Sequence, residues 1–143
     1  MLTAKNIAQI TSDLPLNNFL GVFAADNLPS TLDFPACLII NTDPADRIGE
    51  HWVAVFLADS SRAEYFDSYG IAPFHEALQF CRYFCKETVY NKLWIQSPLA
   101  SSCGHYCIHF LLHRSQGETF KNFLKRFRNF RWINNEELLF NCV

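Results

Sequence analysis

No apolar run in these 143 residues approaches the roughly 20 that a membrane-spanning helix needs. The opening Met-Leu-Thr-Ala-Lys-Asn likewise lacks the apolar centre of a signal peptide, so an intracellular protein without a membrane anchor is expected. Nothing repeats, no tract is low in complexity and no linker-like stretch interrupts the chain, which predicts one domain over residues 1–143. Charge of one sign is also lacking: 12 Lys and Arg against 14 Asp and Glu leave a net charge of -2, with no bulk attraction to nucleic acid or to an acidic partner. Neither a Cys-x-x-Cys nor a His-Glu-x-x-His spacing occurs, so the common local signatures of a zinc site are missing.

What is present is apolar and aromatic. Half the residues are hydrophobic and 15% are Phe, Trp or Tyr, enough to bury a core and to exclude a disordered chain. With that core, six cysteines are not needed as staples. Inside a cell they are expected to be thiols, and Cys37, Cys81, Cys107 and Cys142 read as small buried hydrophobes.

Thr3 can cap a helix running to Gln9 or Ile10. Asn17 to Pro35 reads as a loop-rich stretch anchored by Phe19, Leu20, Val22 and Phe23. Cys37–Ile40 suits a buried strand, and His51–Leu57 with Glu64–Phe66 suits a hairpin around Ala58-Asp59-Ser60-Ser61. Phe74–Cys85 has helical apolar spacing after Pro73. Thr88–Ile95 is β-branched and aromatic, hence a strand. Helices are predicted at Cys103–His113, at about Glu118–Phe130 after Gly117, and at Asn134–Cys142. A helix, then strands, then helices make an α+β fold with a small, mostly antiparallel central sheet flanked by helices.

Four polar residues stand where these elements begin or end. Cys103 opens a helix, where unsatisfied backbone amides and the helix dipole favour a thiolate and can bind an oxyanion. The predicted hairpin brings His51, at the start of one strand, beside Asp67, at the end of the next. Such a pair orients an imidazole through one nitrogen and leaves the other for a thiol proton. Gln96 precedes Cys103 by a loop that can fold its amide beside the Cys103 N–H, which makes two oxyanion donors. Gly104 is expected to leave room for a substrate backbone. His105, His109 and His113 recur every four residues; zinc would accept them, but a polar surface face of the helix is the simpler reading. Lys121, Lys125, Arg126, Arg128 and Arg131 interleave with Phe120, Phe123, Leu124, Phe127 and Phe130, which reads first as an amphipathic helix with a solvated basic face.

Gly49-Glu50-His51-Trp52, Tyr65-Phe66-Asp67-Ser68-Tyr69-Gly70, Gln96-Ser97-Pro98 and Cys103-Gly104-x-x-Cys107-x-x-Phe110-Leu111 resemble the motifs of adenovirus-type cysteine proteases and the related SUMO-specific proteases. The resemblance runs from about residue 17 to 115, and Phe19–Phe23 and Cys37–Thr42 are similar to the adenoviral branch. It implies that Cys103 is the nucleophile, His51 the base, Asp67 its orienter and Gln96 the oxyanion donor. It implies precursor maturation by a virus or virus-like element, with removal of ubiquitin-like modifiers as the alternative task and an inactive, protein-binding descendant as the alternative of another class. An acyltransferase on the same scaffold also remains open. The chemistry itself requires no cofactor. The resemblance adds two: DNA, for which the basic run is a candidate surface, and an activating peptide. In adenoviral enzymes a cysteine eleven positions before the glutamine pairs with that peptide, and Cys85 stands there, although a core cysteine is the other reading.

Overall fold

The apolar runs around Ile39 and Val55 are buried along their whole length, so their alternating side chains must satisfy two cores at once. In the computed structural model, which describes residues 1–43, 51–97, 101–127 and 135, they do this as the middle strands of a five-stranded sheet. The elements in chain order are α1 (Ala4–Ser12), β1 (Phe19–Phe23), β2 (Ala36–Asn41), β3 (Trp52–Asp59) and β4 (Arg62–Phe66). Then come α2 (His75–Phe84), β5 (Glu87–Tyr90), α3 (Cys103–Ser115) and α4 (Phe120–Lys125).

The strands lie in the order β1-β2-β3-β4-β5. The two inner pairings are antiparallel and the two outer ones parallel, so the sheet is evenly mixed where a mostly antiparallel one is expected. Cys37, Ile39, Trp52, Ala54, Phe56 and Phe66 face one core with α1, α3 and α4. Leu38, Ile40, Val53, Val55, Leu57 and Tyr65 face the other, where Ala77, Phe80 and Cys81 of α2 cover them. Among the described residues no helix is long and apolar enough to cross a membrane.

Local signals work where they are short-range. The Thr3 hydroxyl accepts from the Asn6 N–H at 3.1 Å and the Asn6 side chain accepts from the Thr3 N–H at 3.0 Å, a reciprocal cap for α1. Two expectations change. Phe19–Phe23 is a strand, not loop, because pairing with β2 supplies the hydrogen bonds that a run interrupted by Gly21 does not advertise. β5 stops at Tyr90 rather than Ile95, because the chain leaves the sheet at Asn91. The predicted helix at 118–130 is observed as α4, with Phe120, Phe123 and Phe127 buried and Lys121, Lys125 and Arg126 exposed. Phe130, Arg128 and Arg131 lie outside the described residues, as does the predicted Asn134–Cys142 helix apart from Asn135.

Phe66 ties β4 to the helical layer: its ring stacks on Phe110 at 4.9 Å and meets Phe123 edge-on at 5.6 Å. Phe66→Ala is expected to lower stability by about 3–5 kcal/mol, read as a fall in the urea midpoint at unchanged slope.

Candidate active site

β3 and β4 pair with Ala54 opposite Phe66, so the residues just beyond the paired region, His51 and Asp67, meet at one edge of the hairpin. His51 Nε2 lies 2.7 Å from Asp67 Oδ1. The same oxygen accepts from the Tyr69 N–H at 2.8 Å, and the Tyr69 ring stacks on the imidazole at 4.7 Å, so the ring is held by edge and by face. The nitrogen left for a further partner is Nδ1, and the imidazole also hydrogen-bonds Cys103 at the first turn of α3.

The electrostatics follow from these contacts. Burial alone would lower the His51 pKa, but the Asp67 and Cys103 hydrogen bonds and the negative charge of both partners outweigh it and raise it to about 9. Burial would likewise push the Cys103 thiol up. The His51 hydrogen bond, the backbone N–H groups of Trp52 and Gly104 and the imidazolium charge bring it below the ordinary thiol value instead. Cys37 and Cys81, buried without such partners, are pushed up to about 12, and Cys85 and Cys107 also shift upward. Among the described cysteines Cys103 alone shifts down.

Gln96 is tied to Ser68, the residue after Asp67, by a different route. It sits on the segment after β5, fully buried, and its backbone N–H donates to the Ser68 carbonyl at 2.9 Å, next to the Ile95 N–H donating to the same oxygen at 2.8 Å. The Ser68 hydroxyl donates to Gln96 Oε1 at 2.6 Å. Asn91 completes the join: its Oδ1 accepts from the Asp67 N–H at 3.0 Å and its Nδ2 donates to the Asp67 carbonyl at 2.6 Å. Neither Ser68 nor Asn91 is given a role by the sequence, where the first falls inside the Tyr65–Gly70 motif and the second inside a predicted strand. Gly70 has φ +67°, and a Cβ there would lie 2.8 Å from the Lys92 and Leu93 carbonyl oxygens, so this crossing requires glycine.

Several expected residues stand elsewhere or act differently. Gly104 does not open space for a substrate: a Cβ there would meet the Leu2 side chain at 3.3 Å and Ile7 at 3.4 Å, so the glycine admits the N-terminal segment against α3. Trp52 Nε1 donates to the Leu2 carbonyl at 2.9 Å and fastens that segment. His105, His109 and His113 do not form a surface face. They line an apolar cavity of about 460 Å³ between α1 and α3 with Ile10, Leu14, Ile108 and Leu112. His109, lowered to about 4 by burial and by its two histidine neighbours, is a neutral ring, and His113 Nδ1 pairs with Glu118 at 2.6 Å. Cys85 is buried, and its thiol donates to the Asp59 carbonyl at 3.3 Å. Arg126 pairs with Glu118 at 3.0 Å. Gly49, Glu50 and Pro98 of the motifs, with Cys142, lie outside the described residues.

No family model matches the chain. A protease of Porcine adenovirus A serotype 3 is 29% identical over 127 residues, which take in 76% of this chain and 62% of that protein. A protein of Acanthamoeba polyphaga mimivirus, named as a candidate thiol protease, is 30% identical over 108 residues, 68% of this chain and 35% of its own length. The chain is similar to these viral proteases. Its fold is that of the ASFV protease: two crystal structures superpose with TM-scores of 0.56 and 0.53 at 19% identity, covering 73% and 70% of this chain and 42% and 40% of theirs. The chain thus spans less than two thirds of the length of each of these proteins.

The shift at Cys103 can be read directly in this protein. Alkylation by iodoacetamide, followed by mass spectrometry against pH, should reach half its maximal rate at Cys103 below the ordinary thiol pKa of about 8.5. His51→Ala removes the cation and hydrogen bond that outweigh burial, so the midpoint should move up; an unmoved midpoint would contradict the pairing.

Proposed function

We propose that the chain is a cysteine endopeptidase that matures precursor proteins of a virus or virus-like element, inside the host cell or the virion. The observation that carries this reading is a helix-start thiol held below its ordinary pKa by an imidazole that is itself bonded to a buried carboxylate. The viral protease relatives support it independently.

In this reading Cys103 Sγ, as thiolate, attacks the scissile carbonyl carbon; the S–C bond forms and the carbonyl π pair moves onto oxygen. The Cys103 N–H and the Gln96 amide stabilise that oxyanion. On collapse the C–N bond breaks, and the leaving amine takes the proton of imidazolium His51. Neutral His51 then accepts a proton from water as its oxygen attacks the thioester. The C–S bond breaks, which releases the carboxyl product and restores thiolate and imidazolium. Asp67 holds the ring through Nε2 throughout.

The resemblance also proposes two regulators. DNA would meet the exposed Lys121 and Lys125, and salt-sensitive activation by added DNA tests it. An activating peptide pairing with Cys85 requires that this buried thiol first be uncovered, and a mixed disulfide under non-reducing conditions tests that.

Cys103→Ala is expected to abolish cleavage of Gly-rich viral peptides, and wild-type turnover should follow a bell in pH. The acid limb reports Cys103 ionising; the alkaline limb falls near pH 9, as His51 loses the proton that the leaving amine needs. Fluorogenic ubiquitin-like probes form the opposing arm: cleavage of these and not of the peptides would replace the maturation reading. Labelling of Cys103 with no cleavage of either would point to a binding module.

A further inference from the structure

A glutamine serves an oxyanion only through the donor end of its amide. The carbonyl end is an acceptor of the same size, and presenting it would repel the developing charge. Something must therefore set which end faces the thiol. The Ser68 hydroxyl donates to Gln96 Oε1 at 2.6 Å, and Ser68 and Gln96 are both fully buried. A reversed amide would lose this bond. The Ser68 carbonyl also accepts the Ile95 and Gln96 N–H groups, so one residue holds both the main chain and the side chain of the glutamine.

We infer that Ser68 is a positioning residue that sets the polarity of the Gln96 amide and turns its Nε2 donors toward the oxyanion position beside Cys103. The inference rests on the peptidase reading for its consequence. It leaves the thiol's reactivity to His51 and Asp67. Because Ser68 directly follows Asp67, a single dipeptide then orients the base on one side and the oxyanion donor on the other.

The test separates these effects. In Ser68→Ala, kcat is expected to fall about tenfold to a hundredfold with KM within about twofold, part of the loss that follows removal of a whole oxyanion donor. Alkylation of Cys103 by iodoacetamide should keep its wild-type rate, since displacement of iodide develops no oxyanion. Ser68→Thr, which keeps a hydroxyl, should restore kcat. In a Gln96→Ala background the Ser68→Ala change should cost nothing further, because its effect passes through the missing amide. If the alanine protein does not fold, Ser68→Cys, similar in shape with a weaker donor, should show the same kcat loss. Wild-type kcat in Ser68→Ala, or a further tenfold loss in the Gln96→Ala background, would overturn the inference.

A wild-type protein that cleaves nothing would overturn the peptidase reading, and the positioning of Gln96 would then be decided by NMR. The Gln96 side-chain amide signals, two resolved protons in any glutamine because the C–N bond rotates slowly, should shift and exchange faster with solvent in Ser68→Ala than in wild type. Amide signals unaltered by the substitution would sink the positioning role whatever the activity.

Discussion

The segment after β5 does not continue as a strand, yet it must lie against the end of β4, and an unpaired backbone there would leave buried N–H and C=O groups without partners. Asn91 solves this with its side chain. Its amide offers one acceptor and one donor to the Asp67 backbone, the pattern that a neighbouring strand would offer. Two residues of chain then align further along, where the Ser68 carbonyl takes the Ile95 and Gln96 N–H groups. This buried join ties separated stretches of sequence together at the end of β4. His51 comes with β3, Asp67 ends β4, and Gln96 is set by the join itself. A buried polar network of this kind tolerates little loss, because each broken bond strands another buried group.

Around that join, packing and electrostatics act in opposite directions on the thiols. Burial favours the neutral form of every cysteine, which is why Cys37 and Cys81 stand near 12. Cys103 is as hidden as they are, at 2% exposed, so its lowered pKa must come from specific partners and not from access to water. Those partners are a cationic ring and two backbone N–H groups, from Trp52 at the start of β3 and from Gly104 in the first turn of α3. The N-terminal segment keeps that region closed: Leu2 fills the space above Gly104 and is fixed by Trp52, the residue after His51.

Which parts could be read from the sequence follows from how far apart their causes lie. The His51–Asp67 pair was legible because a hairpin with a short turn fixes the proximity of its own ends. The α1 cap and the α2 spacing were legible for the same local reason. Gln96 was singled out only through family resemblance, since a lone glutamine after a strand carries no signal of its own, and what the structure adds is its buried bond to Ser68. Ser68 and Asn91 were not legible, because their partners lie 24 to 28 positions away and their residue types suit a turn or a strand equally well. Gly104 was misread for a related reason: what approaches it is Leu2, from the far end of the chain, and not a substrate. The histidine face was misread because helical spacing shows which residues share a face but not that α1 covers it.

The position of Cys103 also depends on the other end of its helix. A helix that slides by one residue moves its first turn by about 1.5 Å, enough to break a thiol–imidazole hydrogen bond. The apolar contacts of Phe110 and Leu111 resist such sliding only weakly, since neighbouring apolar residues can exchange places in one greasy layer. Arg114 resists it strongly. Its Nε bonds Glu64 Oε1 at 2.6 Å, Nη1 donates to the Glu118 carbonyl at 2.7 Å, and the guanidinium lies over the Phe56 ring at 4.5 Å. Glu64 is 3% exposed, so separating it from Arg114 would strand a buried carboxylate at a cost of about 3–5 kcal/mol. Such a pair adds little net stability over apolar packing, but it admits a single register. Glu64 and Asp67 belong to the same short stretch of chain, β4 and the residue after it. That stretch therefore fixes α3 along its axis at one end and, through His51, meets the thiol at the other.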